Sequence, residues 1–281
     1  MILTYDISDL QPYINWVYFY FAWQLKDKVE QQRIRSEAEA FLQKYQGRYQ
    51  AHALFQIVEA HADGDDILVD GGKWMVERGK RIPLLRQQEV GSQFLCLADF
   101  LSSLPPDSLS SIHHPLSTIH QKLGLFATSV DAGMEHDFDS DPYEKMMAQL
   151  LADRLAEAAA ERMHEEVRKH YWGYAKDENL SMEQLHQEQF QGIRPAVGYP
   201  SLPDASLNFV LDELLDFRQI GITLTESGAM RPHASVSGLM LAHPEAHYFS
   251  IGRIGEDQLA DYARRRQMPI DKMRKFLTAN L

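Results

Sequence analysis

The chain has a single cysteine, Cys96, among its 281 residues. One cysteine excludes an intramolecular disulfide and fits a reducing compartment. The sequence also contains no apolar run as long as a membrane span. Its first residues lack a basic region followed by an apolar core and a small-residue cleavage site, so we expect no signal peptide. We therefore expect a cytoplasmic protein without a membrane partner.

Positive charge is also scarce, because 28 lysines and arginines stand against 40 acidic residues. The formal net charge of −12 argues against nucleic acid or an anionic membrane as the main partner. No metal site is expected from the sequence. The histidines in the middle of the chain have no metal-ligand spacing, and we interpret them as surface residues: His113, His114 and His120.

Hydrophobic residues make up 44% of the chain, which is enough for a sizeable core. No internal repeat or low-complexity linker marks a boundary, so we expect one α+β domain over residues 1–281. Helical spacing predicts helices over residues 30–45, 141–171, a short segment after Ser181, 204–221, 257–266 and 271–277. Alternation and β-branched content predict strands over residues 67–69 and 74–76 (a hairpin with its turn at 70–72), 94–97, 123–130, 222–226, 235–241 and 248–251. The Ser- and Pro-rich residues 101–114 predict a surface connection.

Aromatic residues are concentrated in residues 9–23, which is typical of a segment that packs in the core. Asn15 lies inside this segment, and a polar amide there needs hydrogen-bond partners. Those partners belong either to the protein itself, which is the commoner case, or to a ligand.

The clearest helix begins after Asp141, which can cap it, with Pro142 at the first helical position and Glu144 completing a capping box. Its apolar face is narrow and contains many alanines, which permits close packing against a sheet. Glu157 lies next to that face. An acidic residue in such a position is usually solvated, so Glu157 alone gives little indication of a site.

Residues 194–200 combine two prolines, a glycine, an arginine and a tyrosine. The prolines exclude a helix interior, and the glycine allows close approach to the backbone. Arg194 can pair with an anion in a bidentate way, and Tyr199 offers a flat ring with a polar tip. This chemistry suits a small ligand that has a carboxylate at one end and a planar ring at the other. Taken alone, the same residues are also typical of a Pro-rich loop between two helices, and such a loop is the commoner case.

Basic residues are concentrated near the end of an otherwise acidic chain: Arg264, Arg265, Arg266, Lys272, Arg274 and Lys275. An acidic redox protein could dock on such a patch in a salt-sensitive manner. A solvated helix face is the commoner explanation of the same pattern.

Short motifs along the chain carry a family resemblance. They are PYINW (12–16), RQQ (86–88), LADF (97–100), ADRLAE (152–157), YWGYA (171–175), RPAVGYP (194–200), LTES (224–227), AM (229–230), ASVSG (234–238), HP (243–244), DQ (257–258), DYA (261–263) and the closing NL (280–281). In this order they resemble the activation domain of cobalamin-dependent methionine synthase, and the resemblance runs nearly from end to end.

The resemblance implies a C-shaped α+β domain with a central twisted antiparallel β-sheet flanked by helices. It also implies a site for S-adenosylmethionine and a role in rescuing cobalamin. In that family cob(I)alamin is occasionally oxidised to cob(II)alamin, and an electron from a flavodoxin-like donor followed by methyl transfer from S-adenosylmethionine restores methylcobalamin. The chain shows no cobalamin-ligating Asp-x-His-x-x-Gly pattern, folate barrel or homocysteine–zinc module. We therefore expect it to act in trans on a cobalamin-binding methionine synthase or another corrinoid protein.

The resemblance also assigns roles to individual residues. Arg194 pairs with the ligand carboxylate, and Glu157 lies near its ammonium group. Backbone and ring contacts come from Ala196, Gly198 and Tyr199, while Tyr248 lines the pocket with Phe249 behind it. The nucleophile is cobalt, so no catalytic base is implied. The protein contributes placement of the methyl carbon.

Some residues depart from the family pattern. Asn15 stands where the family has an aspartate that contacts the ligand, and Ala205 stands where the family usually has a histidine. Arg231 replaces an aromatic residue, and His233 replaces a small one. These departures keep a second hypothesis open, in which the chain is a docking or scaffold protein that has lost effective binding of S-adenosylmethionine.

Overall fold

The computed structural model describes residues 1–69, 80–88, 94–101 and 122–281. Within these ranges the helices are α1 (Ile7–Leu10), α2 (Trp16–Ala22), α3 (Lys28–Lys44), α4 (Gly133–His136), α5 (Pro142–Glu166), α6 (Met182–His186), α7 (Leu207–Leu215), α8 (Glu256–Arg265) and α9 (Ile270–Phe276). The strands are β1 (Ile2–Asp6), β2 (Gln50–Asp63), β3 (Asp66–Val69), β4 (Lys80–Pro83), β5 (Lys122–Val130), β6 (Thr223–Leu224), β7 (Met230–Arg231) and β8 (Ser235–Met240).

The chain divides into two compact units. The first unit comprises Met1–Phe55, Phe126–Phe190 and Leu215–Ser237. The second unit comprises Gln56–Leu125, Gln191–Leu214 and Gly238–Leu281. Strands β2, β5 and β8 contribute residues to both ranges. The expectation of one domain over residues 1–281 stays a prediction.

The main sheet has the strand order β4-β3-β2-β5-β8 among the described residues, and β1 also pairs with β2. The β1–β2, β2–β3 and β3–β4 pairs are antiparallel. The end of β5 lies beside the starts of its neighbours, because Asp131 N–H donates to Gln50 carbonyl (3.0 Å) and Val130 N–H donates to Ala234 carbonyl (3.1 Å). These bonds are those of antiparallel neighbours. The predicted α+β class, an antiparallel sheet flanked by helices, is therefore confirmed.

Helix α5 of the first unit packs as its alanine-rich face predicts. Ala148, Ala152 and Ala156 are buried, and the Thr128 hydroxyl of β5 donates to the Ala156 carbonyl at 3.0 Å. Small side chains bring the helix backbone within hydrogen-bond distance of the strand. Asp141 caps the helix by accepting from the N–H groups of Tyr143 and Glu144, as predicted.

The first unit also contains a buried polar cluster after α5, where a π-helical turn (Val167–Tyr171) continues the helix. The Arg168 guanidinium is fully buried and donates to the Glu178 carboxylate at 2.7–3.1 Å. Its Nη1 lies 2.9 Å from His164 Nδ1, and the guanidinium sits 4.2 Å from the centre of the Phe190 ring. A buried charge needs such partners, because desolvation otherwise costs several kcal/mol.

The core of the second unit is formed by α8, α9 and the segment that precedes them. The buried residues of this cluster are Leu85, Ile251, Ile254, Leu259, Tyr262, Ala263, Met273 and Leu277. Phe249 packs against this cluster from a partly buried position. The segment that carries Phe249 and Ile251 is therefore fixed by the C-terminal helices.

Two of the predicted strands are wrong. Residues 94–97 form a single bridge, Arg86 with Cys96, and then enter a 3₁₀ helix (Leu97–Phe100), because the Asp99 carboxylate accepts from Cys96 N–H at 2.9 Å and caps that turn. Residues 248–251 form no strand, because the backbone there is held by isolated bonds and not by a ladder.

The aromatic segment 9–23 is only partly core. Ile14 and Phe19 are buried, whereas Val17 and Tyr18 of α2 are exposed and Phe21 is 81% exposed. A one-sided helix cannot bury every ring of an all-apolar segment, so the prediction of a core segment is wrong for these three residues.

Several predictions fall on residues outside the described ranges. They are the 70–72 turn and the 74–76 strand of the hairpin, most of the 101–114 connection, and His113, His114 and His120. The first strand of that hairpin is present as β3.

Two of the six C-terminal basic residues are not part of an exposed patch. The Arg265 side chain is 12% exposed and pairs with Asp261 and Asp66. The Arg266 side chain is 6% exposed, donates hydrogen bonds to Ser206 and forms an ion pair with the Asp204 carboxylate. Neither a docking patch nor a solvated helix face describes these two residues.

Candidate functional site

The loop of residues 194–202 lies beside the second half of β8. An antiparallel bridge joins Ala196 to Gly238, and Leu239 N–H donates to the Pro195 carbonyl at 3.0 Å. Ile193 and Leu241 exchange both backbone bonds at 2.9 Å just before the loop. Pro195 fits here because the carbonyl is its only backbone hydrogen-bonding group. The strand therefore fixes the first half of the loop.

The second half of the 194–202 loop is a tight turn. Gly198 N–H donates to the Leu202 carbonyl at 2.8 Å, and Leu202 N–H donates to the Tyr199 carbonyl at 2.9 Å. Gly198 has φ of +90°, a conformation that L residues avoid. A Cβ at Gly198 would meet no atom within 4 Å, so the backbone faces open space. Tyr199 is 50% exposed at the tip of the turn.

Two further bonds tie this loop to residues 248–251. The Tyr248 hydroxyl accepts from Arg194 N–H at 2.9 Å, and Ile251 N–H donates to the Pro200 carbonyl at 2.9 Å. Phe249 stands between these contacts, with its ring centre 6.4 Å from that of Phe100. The structure thus brings the predicted residues Arg194 and Tyr248 into direct contact and holds both ends of the loop.

A buried polar group follows the 194–202 loop. The Asp204 carboxylate accepts from the Tyr262 hydroxyl at 2.9 Å and from Ser206 N–H and hydroxyl at 2.8 Å each. The Arg266 Nε lies 3.4 Å from the same carboxylate. Burial, reinforced by the Asp204 charge, raises the pKa of the Tyr262 hydroxyl well above its usual value, so it remains a proton donor. Asp204 precedes α7 by three residues, and this group fixes the exit of the loop.

Asn15 and Glu157 belong to the first unit. Asn15 is the N-cap of α2, where its side-chain oxygen accepts from Val17 N–H at 3.2 Å. The side-chain oxygen of Asn15 therefore has a partner within the protein, and contact of this amide with a ligand stays a prediction. Asparagine and aspartate are equally good in this role, so the departure at Asn15 leaves the cap intact.

Glu157 lies on α5 one turn after Asp153, so the two carboxylates share a face of the helix. Glu157 is partly buried. Asp153 is 3.2 Å from the ring of the exposed His233. Burial raises the pKa of Asp153, and the histidine opposes that shift.

The site residues predicted from the sequence therefore fall into two groups. Six of them lie in the second unit, on the 194–202 loop and on the segment tied to it: Arg194, Ala196, Gly198, Tyr199, Tyr248 and Phe249. Sequence reasoning missed Ile251, whose N–H group holds Pro200, because nothing in a sequence marks a single backbone bond. The bond from the Tyr262 hydroxyl to Asp204 likewise follows only from the tertiary structure.

In the part of the chain that the structure describes, no three His, Cys, Asp or Glu side chains are grouped so that they could hold a metal ion. The same part contains no helix with both the length and the apolar character needed to cross a membrane. Cys96 is buried, and burial raises the pKa of its thiol to about 12. A thiol with this pKa is a poor nucleophile at neutral pH.

The chain matches the family described as "Vitamin B12 dependent methionine synthase, activation domain" over residues 6–267. It is also similar to a crystal structure of the MetH reactivation domain bound to AdoHcy, with a TM-score of 0.87 and 36% sequence identity. That alignment covers 100% of this chain and 90% of the other. The chain therefore belongs to the family of activation domains of vitamin B12-dependent methionine synthases.

Proposed function

We propose that the chain binds S-adenosylmethionine and supports the reductive remethylation of oxidised cobalamin held by a partner protein. The observation that carries this proposal is the 194–202 loop, which backbone bonds to β8, Tyr248 and Ile251 hold in one shape. A loop fixed in this way is preorganised, so little conformational entropy is lost when a ligand binds.

The chemistry of the loop fits the amino-acid end of the ligand. The planar guanidinium of Arg194 can bind a carboxylate with two parallel hydrogen bonds. Its own N–H group is fixed on the Tyr248 hydroxyl, so the backbone that carries the guanidinium does not shift. The similar reactivation domain was solved with AdoHcy, which has the same carboxylate and the same adenosine.

The turn that follows fits the rest of the ligand. Open space beside Gly198 leaves room for a ligand group against the backbone. The half-exposed ring of Tyr199 can stack on a planar group. The small side chain of Ala196 leaves room at the start of the turn, and Phe249 packs against the buried core of the second unit.

Asn15 and Glu157 enter this proposal from the family resemblance. The Glu157 carboxylate would attract the ligand ammonium, and the neutral Asn15 amide would supply a hydrogen bond without a charge. A charge-assisted hydrogen bond is worth about 1.5–3 kcal/mol, so the asparagine is expected to weaken binding about tenfold or more relative to an aspartate.

When bound, S-adenosylmethionine supplies the methyl group that is transferred to cobalt. The residues of this chain bind and orient the sulfonium ligand, and they need no general base because the metal is the nucleophile. We propose that residues 1–281 act in trans as one module on a cobalamin-binding methionine synthase module or another corrinoid protein. A flavodoxin-like protein is the proposed electron donor.

Isothermal titration of the purified chain with S-adenosylmethionine tests the proposal. We expect a saturable heat with one site per chain, and weaker heat with adenosine, which lacks the amino-acid end. The partner role is tested separately by adding the chain to an inactivated corrinoid methyltransferase with reductant and S-adenosylmethionine, where methylcobalamin should form only when the chain is present.

The docking or scaffold hypothesis predicts a different pair of results. No heat would appear at millimolar S-adenosylmethionine, while the chain would still co-purify with a cobalamin-containing protein. Saturable binding of the ligand rejects this alternative.

A further inference from the structure

The peptide group between Ser250 and Ile251 is bonded on both sides. Its N–H donates to the Pro200 carbonyl of the 194–202 loop at 2.9 Å. Its carbonyl accepts from the Gln87 Nε2 group at 2.7 Å. One rigid peptide plane therefore connects Gln87 to the loop.

Gln87 is itself held in one orientation. Its N–H donates to the Leu95 carbonyl at 2.9 Å, and its side-chain oxygen accepts from Leu95 N–H at 3.0 Å. Because the amide oxygen is engaged by an N–H donor, the amide nitrogen must face the Ser250 carbonyl. The side chain therefore links two backbone segments through one bond to each.

The neighbours of Gln87 hold other parts of the same segment. The backbone of Arg86 exchanges two bonds with the Gln258 side chain, at 2.7 and 2.8 Å. The Gln88 side chain accepts from Gly255 N–H at 2.6 Å and donates to the Asp257 carboxylate at 3.2 Å. Gln87 differs from both because its side chain bonds to the peptide that holds the loop.

We propose that Gln87 is a positioning residue for the ligand loop, acting through the 250–251 peptide. Gln87 fixes the peptide whose N–H group holds Pro200. The same peptide begins two residues after Tyr248, and the Tyr248 hydroxyl holds the backbone of Arg194. The ligand in this inference is the one named in the proposed function, on which the inference rests.

The test compares two changes at Gln87 by titration with S-adenosylmethionine. Gln87→Leu removes both side-chain bonds. Gln87→Glu keeps the size and the acceptor for Leu95 N–H but turns the donor to Ser250 into a second acceptor. Both variants should bind the ligand more weakly, by up to about tenfold, because the Ser250 carbonyl loses its side-chain donor and the loop is held less tightly.

Gln88→Leu is the matched control, since it changes the adjacent glutamine and breaks bonds to the same C-terminal segment. Its affinity should stay within about twofold of the unchanged chain. The proposal is overturned if all three variants bind S-adenosylmethionine as tightly as the unchanged chain does. A loss in Gln88→Leu as large as that in Gln87→Leu also overturns it, because the effect would then belong to the whole segment.

A second readout does not depend on the ligand. Amide hydrogen exchange of the free chain should be faster at Ile251 and Arg194 in both Gln87 variants and unchanged there in Gln88→Leu. If the unchanged chain binds no S-adenosylmethionine, the proposed function fails and exchange alone decides the role of Gln87. Unchanged exchange at Ile251 overturns the positioning role whatever the affinities are.

Discussion

Arg168 and Arg194 lie in regions that are held together in opposite ways. Arg168 of the first unit is completely buried, and its guanidinium makes the bonds that stabilise its surroundings, to Glu178 and His164. The region around Arg194 in the second unit is stabilised by backbone groups, which bond to β8, to the Tyr248 hydroxyl and to Ile251. In the first region the side chains hold the fold, whereas in the second the backbone holds the loop.

This difference separates stability from binding. Replacing a side chain of the buried Arg168 cluster removes hydrogen bonds that stabilise the first unit, so the free energy of unfolding falls. Replacing a side chain of the 194–202 loop leaves its backbone bonds in place, so ligand affinity can change while the free energy of unfolding does not. The predictions below test whether the two regions separate in this way.

The largest expected effect is that of Arg168→Met. Removing one partner of a buried ion pair leaves the Glu178 charge uncompensated, so the free energy of unfolding should fall by about 3–5 kcal/mol. Urea denaturation followed by circular dichroism measures it. Arg33→Met, which replaces an exposed arginine of α3 in the same unit, should leave it nearly unchanged.

The double variant Arg168→Met with Glu178→Leu makes the Arg168 result specific. Replacing both charges removes the uncompensated carboxylate, so much of the lost stability should return. If the single and double variants are equally unstable, the ion pair is not what holds this region.

Gly198→Ala should affect both stability and binding. An L residue at φ of +90° is strained, so the free energy of unfolding should fall by about 1–2 kcal/mol, although a methyl group has room there. Gly64→Ala is the matched control, because Gly64 has φ of +62°, lies in the same unit and also has open space around it. Both variants should lose similar stability, while only Gly198→Ala should weaken S-adenosylmethionine binding in calorimetry. Equal affinities in the two variants would remove Gly198 from the site.

Asn15→Asp should improve ligand affinity without disturbing the fold. Aspartate keeps the cap on α2 and adds the negative charge that the family resemblance implies for this position. Binding of the cationic ligand should tighten about tenfold in calorimetry, and the melting temperature should stay the same or rise slightly. Asn15→Ala loses both the cap and the amide, so it should be less stable. An affinity of Asn15→Asp that equals that of the unchanged chain means that residue 15 is not a ligand contact.

The smallest expected effect is that of Arg264→Ala. Arg264 is 74% exposed and pairs with Asp261 one turn away on α8. Such a surface pair is worth about 0–1 kcal/mol, so neither thermal unfolding nor ligand titration should change measurably. A large loss of stability in Arg264→Ala would show that the exposure of an arginine does not predict how much it contributes to the free energy of unfolding.

Local sequence signals predicted the elements that depend on local chemistry. Asp141 and Pro142 mark the start of α5, and Ser181 marks that of α6, because caps act within one turn. Strand β2 could not be predicted in the same way. Its alanine, histidine, glutamine and glutamate have low strand propensity, and the strand is held by its paired neighbours.

The candidate site was predictable only in part for the same reason. Proline, glycine and arginine marked the 194–202 loop, and the resemblance added Tyr248 from a distant part of the chain. The bonds that give the loop its shape, from Ile251 to Pro200 and from Gln87 to Ser250, join residues far apart in sequence. A single sequence carries no signal for such pairs.

The most direct test of the central claim is a calorimetric titration of Arg194→Ala and the unchanged chain with two ligands. S-adenosylmethionine has the carboxylate that Arg194 is proposed to bind, and 5′-methylthioadenosine lacks it. We predict that Arg194→Ala weakens S-adenosylmethionine binding by about ten- to a hundredfold and leaves 5′-methylthioadenosine binding unchanged. Equal affinity of both chains for S-adenosylmethionine, or an equal loss for both ligands, would contradict the claim that this loop binds the amino-acid end of the ligand.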